Sequence, residues 1–333
     1  MSAITPVRLA LLGCGSIGRR HLENVRAMEG VFLEAAVDVR EEAAAVFCRE
    51  FEGRYHTTDP RYVFDDRNVD AVIICTHHDS HAFLAEQAAQ AGKHILLEKP
   101  MALTAAECWS ISETVAQANV KLSINFKFRF APAVQQAREL IKRPLMTVGH
   151  LCMEPLAEGS WVRDPVKGGG LILATACHVL DMVCWLNRSD PAVVYAESVP
   201  HQPDQGCNVS AATATLRFAN GAIASLAMAD AGENPYAGKW LHEVFDGKRS
   251  AVLYDHFRQV RFSGVQPEHY QATDSLKEDG TYGVLEDFVG SIREGRVPAI
   301  SARDGIRATV LALSILKSLR SGLPETVRLD DRH

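Results

Sequence analysis

Three groups of residues have types and spacings suited to chemistry. Near the start of the chain, Gly13, Gly15 and Gly18 are spaced G-x-G-x-x-G, with Cys14, Ser16 and Ile17 between them. Such a loop brings main-chain N–H groups up to a pyrophosphate, because no side chain at the glycines stands in the way. Gly13 permits the tight turn, Gly15 the close approach of phosphate, and Gly18 close packing of helix on strand. Asp38 lies 20 residues after Gly18, where a carboxylate can hold the ribose hydroxyls of a dinucleotide. A carboxylate there repels a 2′-phosphate and favours NAD. Arg40 leaves NADP open: it could neutralise a 2′-phosphate, stack on adenine, or be a solvated charge.

The second group is Glu98-Lys99-Pro100. Lys99 can aim an ammonium at a hydroxyl and favour its oxygen anion, with Glu98 as its pair. The spacing alone fits a solvated ion pair before a proline turn equally well. The third group is His178 and Asp181, three residues apart and so on one helix face. Histidine transfers protons near neutrality. The bland reading is a half-buried histidine with an ordinary acid one turn on. His77 and His81 have the i, i+4 spacing of a metal pair, but no glutamate follows His77, and no metal is expected.

These groups need elements to hold them. Val7–Leu12 is an apolar run suited to a buried strand, and the glycine loop follows it at once. The pattern predicts a helix over Ile17–Met28, a strand over Val31–Val37 ending at Asp38, and a helix over Glu41–Glu50. It then predicts a strand at Val69–Cys75, a helix at Ser80–Ala91 stopped by Gly92, and a strand at His94–Leu97 that delivers Lys99. A helix from Thr104, with Glu107 completing a capping box, and a strand at Val120–Ile124 close the series. This alternation implies a parallel sheet with helices on both faces. Beyond it come a strand at Thr147–Met153 and a helix within Ile172–Leu186. Strands follow at Ala192–Val199, Val209–Phe218, Ala222–Ala229, Trp240–Phe245 and Ala251–Tyr254, with Asn220-Gly221 as a hairpin turn. Helices return at Val284–Arg293 and Ile306–Leu319, the apolar positions of the latter being read as packing. The fold class is therefore α/β plus α+β: a doubly wound parallel sheet over residues 1–124 and a large, mostly antiparallel sheet within residues 125–333.

Composition agrees. The 333 residues suit about two domains. Hydrophobic residues at 47% and charged residues at 23% exclude a disordered chain. A net charge of -6 argues against a nucleic-acid partner, and no run reaches the ~18 apolar residues of a membrane span. The eight cysteines form no C-x-x-C pair, and several sit in apolar runs as buried small hydrophobes. The first apolar stretch has no basic region before it and runs into the glycine loop, so the expectation is no signal peptide and a cytoplasmic protein.

In order along the chain, the motifs resemble those of the Gfo/Idh/MocA oxidoreductases, the glucose-fructose oxidoreductase and inositol dehydrogenase group. They run from the Gly13–Gly18 loop through Thr76–His81, Ala91–His94 with Glu98-Lys99-Pro100, and Asn125–Pro132. Trp161 and Gly168-Gly169-Gly170 lead to His178 and Asp181, and Tyr282–Pro324 includes Glu294-Gly295-Arg296-Val297-Pro298. The resemblance implies a Rossmann domain followed by an α+β domain for substrate binding and oligomerisation, as a homodimer or homotetramer. It implies NAD as cofactor, with NADP open, and a sugar, cyclitol or sugar derivative as substrate. It places Lys99 beside nicotinamide and the reacting hydroxyl, and His178 at the catalytic histidine. It makes Thr76, His77, His81, Glu98, Asn125, Trp161 and Tyr282 cofactor-pocket candidates. Arg129, Trp161 and Arg163 are read with Lys99 and His178 as substrate-binding, and Asp181 as a catalytic partner. His256 and Lys239-Trp240 are set aside as variable.

One departure stands out. Many members carry aspartate four residues before the histidine and glycine two residues later; here these are Ala174 and Ala176. Two rivals to a dehydrogenase follow: an NAD-dependent glycosidase acting by transient oxidation, and a non-catalytic dinucleotide-binding regulator, which Ala174 favours. Cys14 in the loop and Cys177 beside His178 suggest that thiol modification inhibits.

Overall fold

β1 (Val7–Leu12) is buried along its length except at Arg8, as a strand covered on both faces must be. It opens the first of two units in the computed structural model, which describes residues 4–199, 209–272 and 277–330. The first unit continues through α1 (Ser16–Arg26), β2 (Val31–Val37), α2 (Glu41–Glu50), β3 (Tyr55–Thr57), α3 (Arg61–Asp65) and β4 (Ala71–Ile74). A 3-10 turn at His78–Ser80 leads into α4 (His81–Gln90), then β5 (His94–Leu97), α5 (Ala105–Ala118) and β6 (Leu122–Ile124). The six strands are all parallel, in the order β3-β2-β1-β4-β5-β6. This is the doubly wound order whose crevice, at the carboxyl ends of the strands, takes ligands. The short β3 and α3, with no apolar run of their own, were not legible in the pattern.

The second unit holds a 3-10 turn at Lys127–Phe130, α6 (Pro132–Leu140), β7 (Met146–Cys152), α7 (Gly170–Ala174) and α8 (Cys177–Asn187). Its strands continue as β8 (Pro191–Ser198), β9 (Ala211–Phe218), β10 (Ile223–Ala229), β11 (Trp240–Phe245), β12 (Ser250–Tyr254), β13 (Gln259–Ser263) and β14 (His269–Gln271). α9 (Thr281–Glu294), α10 (Ala302–Ser321) and β15 (Glu325–Thr326) end the chain. The nine-stranded sheet runs β14-β13-β12-β11-β7-β10-β9-β8-β15 and is antiparallel except for the parallel pair β7–β10. The Asn220-Gly221 turn joins β9 to β10 as read, with Gly221 at φ +88. The stretch Ile172–Leu186, read as containing a helix, holds most of α8 and the end of α7, which break at Thr175-Ala176.

The chain does not divide at one cut. Residues 1–102 and 106–125 form the first unit together with 281–305, while 103–105, 126–280 and 306–333 form the second. α9 therefore belongs to the Rossmann unit, where it packs on α1, β5 and β6. A single division at residue 124 has no place for this returning segment. No helix among the described residues is long and apolar enough to cross a membrane.

Candidate active site

The glycine loop of the first unit is tight at two glycines and open at the third. Gly13 has φ +97, and a Cβ there would lie 2.5 Å from the Cys75 carbonyl oxygen. A Cβ on Gly18 would lie 2.4 Å from the Gly13 oxygen and 3.0 Å from Leu11. At Gly15 nothing stands within 4 Å of a Cβ. Gly15 caps α1 without a side-chain hydrogen bond, and the first turn, from Ser16 and the exposed Ile17, carries no acid. The helix thus presents main-chain N–H groups and a partial positive charge to an anion. Asp38 stands at the end of β2. One of its oxygens accepts the Cys14 N–H and the other the Arg40 N–H, each at 2.9 Å, and the Arg40 guanidinium is 3.5 Å away. An open cradle, a helix N-terminus and a carboxylate at the strand end fit the adenosine and pyrophosphate of a dinucleotide.

Cys14, read as a thiol whose modification inhibits, is buried. Burial, with Asp38 adding to it, pushes it up to about 12, and its Sγ lies 3.6 Å from the Val37 oxygen. Cys177 is buried as well, so neither thiol is open to reagents in the folded chain. Cys207 lies outside the described residues.

Around Lys99 the first unit builds two histidine struts. His81 Nδ1 is 2.8 Å from the Pro100 oxygen and Nε2 is 3.3 Å from the Thr76 oxygen. Burial pushes its pKa down, which suits a neutral ring donating through Nδ1. His81 therefore binds main chain and is not half of a metal pair with the exposed His77. Thr76 Oγ1 accepts from Ser80 Oγ at 2.7 Å. On the other side, Glu98 faces His21 Nε2 at 2.9 Å, accepts from Asn125 Nδ2, and accepts the Lys99 main-chain N–H at 3.2 Å. Burial alone would push the Glu98 carboxyl up, but the hydrogen bond and charge of His21, then Lys99 and Asn125, pull it down to about 2. His21, Cys75 and Glu98 bring ligand atoms within 4.8 Å of one another. The His21–Glu98 hydrogen bond occupies two of these groups, and burial with nearby Glu98 keeps the Cys75 thiol protonated. Tyr282, at the start of α9, also belongs to this unit. His21 was missed in the sequence, although a histidine three residues past Gly18 on the buried side of α1 was a usable signal.

In the second unit, His178 stands in the first turn of α8, 7% exposed and walled by rings. Phe128 lies 4.9 Å from it between centroids, Trp240 5.7 Å and Phe126 6.3 Å. Trp240, set aside in the sequence, thus flanks the histidine, with Lys239 Nζ over its ring at 5.1 Å. Phe257 closes the cluster 4.8 Å from Phe128. Its neighbour His256 lines an open depression of about 500 Å³ with Tyr236 and Arg258.

Asp181, read as a catalytic partner, is paired with Arg129 within the second unit. Both of its oxygens take the Arg129 guanidinium, with Nε to Oδ2 at 2.8 Å and Nη2 to Oδ1, and both side chains are buried. The fork consumes the acid read as catalytic and the arginine read as substrate-binding, and it braces the Lys127–Phe130 turn on α8. Arg163 is likewise held, by Asp230 at 2.7 Å and by the Leu156 carbonyl. Its neighbour Trp161 opens the half-exposed 3-10 turn over Trp161–Arg163. A Cβ on Gly168 would lie 2.4 Å from the Trp161 oxygen, and Gly169 and Gly170 both have positive φ, so the glycine run is needed to turn the chain into α7. Ala174 closes α7, buried and carrying no polar group.

Residues 7–126 match the oxidoreductase family with NAD-binding Rossmann fold, and residues 134–245 match the GFO/IDH/MocA C-terminal domain. The chain belongs to the GFO/IDH/MocA oxidoreductase family. It is 26% identical to myo-inositol 2-dehydrogenase of Thermotoga maritima, over 98% of this chain and 99% of that protein. It is 28% identical to levoglucosan dehydrogenase of Pseudarthrobacter phenanthrenivorans, over 94% of this chain and 96% of that one. Its fold is that of a levoglucosan dehydrogenase solved in complex with NADH, with a TM-score of 0.84 and 24% identity over 97% of this chain and 100% of the other. As a family member the chain is an oxidoreductase whose first unit is an NAD-binding Rossmann domain.

Proposed function

We propose that the protein is an NAD-dependent dehydrogenase of a cyclitol, sugar or sugar derivative, oxidising a ring CH–OH or reducing the matching ketone. The observation that carries this is the pairing of the open Gly15 cradle and Asp38 with a Lys99 held from both sides by His21–Glu98 and His81. The names of the relatives support the substrate class. Bound nicotinamide supplies the hydride acceptor or donor.

The residues of the chain do the rest. The phosphates sit on the N–H groups of α1, and Asp38 takes the ribose hydroxyls. The Lys99 ammonium stabilises the negative charge that develops on the substrate oxygen. His178 takes the hydroxyl proton as the hydride leaves the carbon, and returns it in reduction. The rings of Phe128 and Trp240 keep water from that proton. Arg129, Asp181 and Arg163 brace the elements that carry the site. The test is a screen of cyclitols and sugars with NAD and NADP, following the absorbance of reduced nicotinamide. Activity on at least one of them with NAD preferred supports the reading, and a strong preference for NADP overturns the role given to Asp38.

A further inference from the structure

The Glu98 carboxylate is 7% exposed, yet it gathers donors from three elements: His21 on α1, Asn125 just after β6, and the main-chain N–H of Lys99. His21 is fully buried, and Asn125 Nδ2 also lies 3.4 Å from its Nε2. A buried, ionised carboxylate that loses one of its donors is left with an uncompensated charge. It can then take up a proton or turn toward the nearest cation. Glu98 is covalently next to Lys99, whose charge already acts on it, so either change reaches the ammonium. We propose that His21 and Asn125 are positioning residues for Lys99: by holding Glu98, which accepts the Lys99 main-chain N–H, they fix the main chain at Lys99 and the place of the carboxylate charge beside it. The proposal rests on the role given to Lys99 above. It also ties the helix that receives the pyrophosphate to the lysine, since His21 lies one turn beyond Gly18 on α1.

The test uses His21→Leu and His21→Gln in the full chain, with Lys99→Ala beside them and a substrate established by the screen. His21→Leu lowers kcat by about 10- to 100-fold, the size of effect that a small misplacement of a reacting group produces. NADH affinity stays near wild type, the thermal midpoint falls because Glu98 loses a buried partner, and the pH profile of kcat shifts. His21→Gln, which keeps an N–H donor, recovers a large part of the loss. A wild-type kcat and pH profile in His21→Leu overturns the proposal. So does a loss of kcat that comes with a matching loss of NADH affinity and an unshifted pH profile, because a merely structural histidine behaves that way. If Lys99→Ala keeps full turnover, the role of Lys99 fails and the proposal with it. If Lys99→Ala is inactive while His21→Leu is normal, the positioning alone fails.

Discussion

Glu98 and Asp181 are both buried carboxylates beside a residue assigned to the reaction, and they are held in opposite ways. Glu98 is met by one donor from each of three places: an imidazole, an amide and a main-chain N–H. Asp181 is met at both oxygens by the Arg129 guanidinium. The surroundings follow the same division. The first unit packs polar groups around Lys99, whereas the second walls His178 with Phe126, Phe128 and Trp240. A full ion pair neutralises charge and braces two elements, and it leaves little for chemistry. A carboxylate shared among weaker donors can adjust the group beside it. The comparison favours a bracing role for Asp181 and, on the proposal above, a positioning role for Glu98 at Lys99.

The largest effects are expected at the two residues given catalytic roles in the proposed function. Lys99→Ala and His178→Ala should each lower kcat by about 10²- to 10⁴-fold, in steady-state assays, with NADH affinity little changed. Retention of wild-type turnover in either variant removes that residue from the mechanism. Next is the brace. Asp181→Asn leaves the Arg129 charge buried and should cost about 3–5 kcal/mol in urea unfolding. Arg129→Met added to Asp181→Asn should recover much of this, and no recovery would mean that the fork is not the reason for the loss. Asp38→Ala removes the acceptor of the Cys14 N–H and, in the proposed function, of the ribose hydroxyls. It should weaken NAD by about 10-fold, measured as KM, and narrow the preference over NADP. A further effect is on acid stability. Glu98 falls from its ordinary 4.5 to about 2 on folding, so its contribution is whole above pH 4.5 and is lost as pH drops toward 2. In Glu98→Gln, the urea midpoint should vary less over that interval than in wild type.

The sheet of the first unit was legible because each buried strand is a continuous apolar run, as at Val7–Leu12 and Val31–Val37, and because the glycine spacing sits between strand and helix. Two things hid the rest. Pairing is not in the spacing: His178 and Asp181 share a helix face, but the acid is bound by Arg129, which comes from a turn 52 residues earlier. Nor does local pattern report returning chain. α9 reads as an amphipathic helix of the second half and packs instead on the first unit. The position of His21 on the buried side of α1 is legible, but the carboxylate that it meets lies 77 residues later, which local spacing does not encode.

The central claim is hydride exchange between nicotinamide and a carbon bearing a hydroxyl, with Lys99 facing the developing charge. The most direct measurement is reduced nicotinamide formed from NAD across a panel of cyclitols, sugars and glycosides, wild type against Lys99→Ala. The account predicts stoichiometric NADH with at least one cyclitol or sugar in the wild type, and loss of that rate in the variant. Aglycone release from a glycoside with no net NADH, or a Lys99→Ala rate equal to wild type, would contradict it.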